Sequence, residues 1–111
     1  MDERQRQVQC LLTHLQQQGI PSRLSLEIVI NHFLDSTFVV ILFQGTTLTT
    51  QEKAEMTHTQ LQYLGQKTGL RYDDILDVTE ILEQRRILAE DLFPEGFTYG
   101  LTPFAKSLYK Q

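Results

Sequence analysis

From Asp2 to about Gln18, the apolar residues Val8, Leu11, Leu12 and Leu15 recur at i, i+3, i+4 and i+7. That spacing puts one apolar stripe along a glutamine-rich helix, which can therefore pack on one side only. The stretch "GIPS", Gly19 to Ser22, ends this helix with a glycine stop and a proline that cannot continue the hydrogen-bond ladder. A second helix is expected from about Ser25 to Leu34. "FVVILF", Phe38 to Phe43, is rich in strand formers yet too uniformly apolar for a half-exposed strand. The preferred reading is a short buried helix, capped by Asp35 or Ser36 and terminated by Gly45.

"TTLTT", Thr46 to Thr50, then serves as a short β-like link. Gln51 to Lys67 is polar and made of good helix formers, with Met56, Leu61 and Leu64 as a sparse apolar face before Gly69 closes it. The next helix runs from about Tyr72 to Arg86, and Ile75, Val78, Ile81 and Leu82 mark its buried side. The end of the chain reads as strand, turn, strand and helix: "ILAEDLF", "PEG", "FTYGLT" and "PFAKSLYK". Thr102 can cap that last helix with its hydroxyl, and Pro103 suits the first helical position.

A chain of 111 residues with 41% hydrophobic content fits one domain around one core and is too apolar to stay disordered. The expected fold is therefore mainly α with a small β-hairpin. Cys10 is the only cysteine, so no intramolecular disulfide forms and a secreted disulfide scaffold is excluded. The opening "MDERQRQVQC" lacks the basic-then-apolar start of a leader, and six apolar residues cannot span a bilayer as a helix. A cytoplasmic protein without a membrane partner is expected.

The stretch from Thr57 to Leu108 sets out a helix with Leu61 and Leu64, a tight turn at Gly69-Leu70, a second helix, and a hairpin. Tyr99-x-Leu101-Thr102 followed by Leu108 has the look of a second wing strand and a closing helix. In this order the last half of the chain resembles the winged helix-turn-helix superfamily, in particular the MarR-like and PadR-like regulators, although Ala105 stands where those regulators usually carry Gly. The resemblance implies a single domain, 1–111, with N-terminal helices in 1–45 and a winged-helix-like region in 46–111. It also implies a homodimer, since extra terminal helices commonly form the dimer in such regulators. The stripe Val8, Leu11, Leu12 and Leu15 is the expected seam, because with the over-apolar Ile28 to Phe43 it exceeds what so small a core needs.

The resemblance further implies a non-enzymatic transcription regulator whose second helix enters the major groove of duplex DNA. On that reading Arg71 and Tyr72 stand at the start of the reading helix, and Lys53, Lys67, Arg85 and Arg86 neutralise phosphates. The charge runs the other way. From Leu70 to Tyr99 three basic residues face eight acidic ones, the whole chain carries −4, and Glu90, Asp91 and Glu95 crowd the hairpin. Phosphate neutralisation needs the opposite sign. The alternative function keeps the scaffold and changes the partner: Asp73, Asp77 and Glu80, with Asp74 beside them, face outward and dock on a basic protein.

No glycine-rich phosphate loop, nucleophile elbow or zinc-hydrolase helix occurs, so no catalytic residue and no cofactor is assigned. Cys10 and His14 lie one helical turn apart and His58 could join them in space along with a carboxylate, but two ligand types fall short of a zinc motif. They are read as a partly buried thiol and a solvated imidazole. Asp73, Asp74 and Asp77 lack the loop spacing of a calcium hand. His32 is read as a boundary histidine, and Phe93, Phe97, Tyr99, Phe104 and Tyr109 as a small core that packs hairpin to helix.

Overall fold

The structure, a computed structural model, describes residues 2–42 and 47–110. It is mainly helical with one small antiparallel sheet. Helix α1 covers Glu3–Gln17 and starts with a reciprocal cap: the Asp2 carboxylate accepts from the Gln5 N–H at 2.7 Å, and the Gln5 side chain accepts from the Asp2 N–H. It ends as "GIPS" predicts. Gly19 takes φ 84°, and the Ile20 N–H reaches back to the Leu15 carbonyl at 2.9 Å.

Helix α2 spans Leu24–Asp35 and buries Leu26, Val29, Ile30 and Phe33. Helix α3, Thr50–Thr68, opens on a second reciprocal cap between Thr49 and Glu52 and closes at Gly69, whose φ of 78° only glycine adopts freely. The turn that follows is tight. A Cβ at Gly65 would lie 3.1 Å from both the Ile75 Cδ1 and the Leu70 carbonyl oxygen, so the glycine lets α3 and α4 approach closely.

Helix α4 covers Tyr72–Gln84 and stops two residues earlier than its periodicity suggests. Arg86 takes a left-handed φ of 62°, the Ile87 N–H bonds back to the Leu82 carbonyl, and the chain turns directly into the hairpin. Ile75, Val78 and Leu82 are buried as expected, but Thr79 joins them and Ile81 is only half-buried. Thr79 tolerates burial because its hydroxyl donates to the Leu76 carbonyl at 3.1 Å.

Phe38–Ile41 forms strand β1, not the short buried helix expected of it; the expected terminator, Gly45, lies outside the described residues. β1 pairs antiparallel with β3, Gly96–Leu101, which pairs on its other side with β2, Leu88–Phe93, through a two-residue turn at Pro94-Glu95. Val40 faces Phe97 and Phe38 faces Tyr99 across the first ladder. The apolar run is uniform because only half of it is covered. Val39 and Ile41 point away from the core and stay 57% and 72% exposed. Helix α5, Pro103–Tyr109, is capped by the Thr102 hydroxyl, which accepts from the Ala105 N–H at 3.0 Å.

One continuous core joins the helices to the sheet. α1 packs on α2 and α5, α2 on α4, and α3 on α4. Val8, Leu11, Leu12 and Leu15 all lie within this core, with Leu11 and Leu15 wholly inaccessible. The stripe expected to form a dimer seam is therefore consumed inside one chain, because α2 and α5 already cover it. Two ion pairs brace the helices from outside: Arg4 of α1 with Asp35, and Arg23 with Asp77 of α4 at 2.8 Å.

Candidate functional site

The outward surface of α4 and the groove on its flank hold most of the residues singled out in the sequence. Asp73 and Asp74 sit in the first turn of α4, where the positive end of the helix dipole favours carboxylates. With Asp77 and Glu80 they are exposed along one side of the helix, as the periodicity requires. They are not equivalent. Asp77 is engaged by Arg23, whereas Glu80, among the described residues, accepts from the Gln84 amide alone, at 3.4 Å.

The basic residues do not gather into one patch. Arg71 occupies the N-cap position of α4 with its side chain 81% exposed, 4.0 Å from Asp73. Arg85 and Arg86 lie beyond the other end of the helix, roughly 20 Å away at 1.5 Å per residue. Arg85 is half-buried and its Nε, among the described residues, is buried without a hydrogen-bond partner, while the Arg86 carbonyl accepts from the Thr102 hydroxyl at 2.5 Å. Lys67 is exposed in the last turn of α3. Lys53 is committed to Glu90 at 3.0 Å.

Tyr72, expected at the start of the reading helix, lies in the first turn of α4 and turns toward α3. Its hydroxyl is hydrogen-bonded to the His58 Nδ1, and the two rings meet edge to face with centroids 4.7 Å apart. Burial and, secondarily, the nearby Asp73 raise the Tyr72 phenol above its ordinary value. His58 is thereby held on α3, apart from Cys10 and His14 on α1. The Arg6 guanidinium lies 3.8 Å from the Cys10 sulfur, and the His14 ring stacks edgewise on Phe104. Among the described residues, no group of three or more His, Cys, Asp or Glu side chains is placed to hold a metal ion.

On the flank of α4 a groove of about 530 Å³ opens between α3, α4 and the sheet. Leu61 and Leu76 contribute apolar lining, and His58, Tyr72 and Tyr99 contribute rings. Three carboxylates line it as well: Glu80, Glu83 and Glu90. The Tyr99 hydroxyl donates to the Glu83 Oε1 at 2.7 Å, which fixes that carboxylate on the groove wall. Burial first, and then the bond to Glu83, push the Tyr99 phenol far above its ordinary value, so it remains a neutral donor.

Sequence reasoning placed Tyr99 correctly in a small aromatic core but missed its partner. Its ring meets Phe33 and stacks on Phe38, both outside the expected cluster, while Phe104 remains exposed on α5. The pairing of Tyr99 with Glu83 had no local signal, since it joins a strand to the helix before the hairpin. Comparison with protein-family models, with curated proteins and with solved structures finds no match to this chain. Among the described residues, no helix is long and apolar enough to cross a membrane.

Proposed function

We propose that this chain is a non-enzymatic, winged-helix-type interaction module of a regulatory kind, whose α4 surface docks on a basic protein partner. The order α2, β1, α3, α4, β2, β3 and the sheet order β1-β3-β2 support the winged-helix reading, with β2 and β3 as the wing. The observation that carries the choice of partner is the exposed acidic row on α4. Asp73, Asp74, Asp77 and Glu80 occupy the side that a DNA-reading helix would turn toward phosphates, and Arg71 is separated from Arg85 and Arg86 by the length of the helix. A row of carboxylates repels a duplex and attracts a cationic protein surface, where complementary charge governs encounter rate and register.

A second reading retains duplex DNA as the partner, through Arg71 and Lys67 beside the α3–α4 turn; the exposure of Arg71 favours it. One set of variants separates the two. Replacing Asp73, Asp77 and Glu80 with lysine is expected to abolish capture of a basic partner while the fold survives, since all three side chains are exposed. Arg71→Ala is expected to leave that capture unchanged. Tight duplex binding by the unmodified chain at low salt, weakened by Arg71→Ala, would instead establish the DNA reading.

A further inference from the structure

The groove beside α4 is built for a ligand of one charge sign. Among the described residues, Glu90 is neutralised by Lys53 at 3.0 Å, but neither Glu80 nor Glu83 forms an ion pair. Glu83 is nevertheless held in place, because the buried Tyr99 donates to it at 2.7 Å. Beside these carboxylates the lining turns apolar and aromatic, with Leu61, Leu76 and the Tyr72–His58 ring pair. We propose that this groove binds a small organic cation: an ammonium or amidinium group on an aromatic or apolar body.

The chemistry of the lining selects that class. A cationic head placed between Glu80 and Glu83 gains charge-assisted hydrogen bonds, and the electron-rich ring of Tyr72 attracts the same charge. Its apolar body covers Leu61 and Leu76, so the two halves of the ligand match the two halves of the groove. An anion would meet uncompensated carboxylates, and among the described residues no lysine or arginine lines the groove. A metal ion would find too few converging ligands among the described residues. The volume of about 530 Å³ lies in the range that encloses small organic molecules. The site shares Glu80 with the docking row on α4, whereas Asp73 and Asp77 do not line it.

Phenethylammonium, with neutral 2-phenylethanol as its control, tests the proposal on the full chain by NMR titration. Saturable shifts of the His58 and Tyr72 ring signals by the ammonium compound alone are expected. Glu83→Gln should weaken that binding by about tenfold, the scale of one charge-assisted hydrogen bond, while Glu95→Gln, outside the groove lining, leaves it unchanged. Leu76→Lys, at a position already 40% exposed, provides a second variant that should block the groove without emptying the core. Equal binding of both compounds would overturn the proposal, as would no saturable shift up to about 10 mM. So would ammonium binding that survives both Glu83→Gln and Leu76→Lys in folded protein. Binding of a hexa-arginine peptide that depends on Glu83, without any of phenethylammonium, would assign the groove to a partner protein and overturn it too. Loss of α4 docking with these groove results intact would leave the cation site standing.

Discussion

The carbonyl oxygen of Val40 occupies the space that a side chain at residue 96 would need: a Cβ on Gly96 would lie 1.8 Å from it. Neither strand can retreat cheaply, because Ile41 pairs with Gly96 on one side and Phe93 pairs with it on the other. Gly96→Ala is therefore expected to break the β1–β3 ladder at that end and to lower stability by about 2 kcal/mol or more, through overpacking against backbone. Chemical denaturation measures the loss. Hydrogen exchange should find it concentrated at Val40 and Ile41, and an unchanged denaturation midpoint would show that β1 does not lie against Gly96.

Leu11 is expected to behave as a core residue and not as an interface residue. It is wholly inaccessible within one chain, between the helices that α1 packs on. Leu11→Ala should cost about 2–5 kcal/mol of folding stability, the range for deleting buried methyl groups and leaving a cavity. The sedimentation coefficient of the folded variant should match that of the unmodified chain. A variant that folds as stably but dissociates would restore α1 as a subunit seam.

Tyr99 makes stability depend on alkaline pH. Its phenol titrates higher in the folded chain than in the unfolded one, where it titrates near 10. Below about pH 10 both states hold the proton and the contribution is fully present; as pH rises beyond that, the unfolded chain releases it first and stability falls. Tyr72 and Tyr109 are shifted in the same direction, chiefly by burial, and steepen the decline. Tyr99→Phe is expected to flatten the slope above pH 10. Denaturation midpoints across that range read the effect, and identical slopes would show that the Tyr99 phenol is not raised by its burial and its bond to Glu83.

Arg86 holds a left-handed backbone at the end of α4 with a φ of 62°, where glycine would sit without strain. Its side chain is exposed, so Arg86→Gly removes little packing. A gain of about 0.5–1 kcal/mol in unfolding free energy is expected, the relief of backbone strain offset by the greater freedom of the unfolded glycine. Destabilisation would mean that the Arg86 side chain carries a contact of its own.

The local physics of the helices was legible along the chain. Thr102 offers a side-chain acceptor just before a run of helix formers, and Gly19 and Gly69 stand where a left-handed residue closes the ladder; the caps at Asp2 and Thr49 obey the same rule but were not expected, Thr49 having been read as part of a β-like link. These choices involve neighbours within a few residues, so sequence spacing contains them. The outward row of Asp73, Asp77 and Glu80 follows from the same periodicity, since the buried Ile75, Val78 and Leu82 leave it no other side.

Periodicity reports which face of an element is apolar, but not what covers it. The stripe on α1 therefore looked free for a second copy until α2 and α5 were found against it. Phe38–Ile41 became a strand because its hydrogen-bond partners lie in β3, far along the chain, and that ladder suits its strand-forming residues, which the uniformly apolar pattern alone did not reveal. The groove arose in the same way. His58 and Tyr72 stand on successive helices, Glu83 and Tyr99 on a helix and a strand, and only their convergence turns scattered carboxylates and rings into one cation-accepting surface.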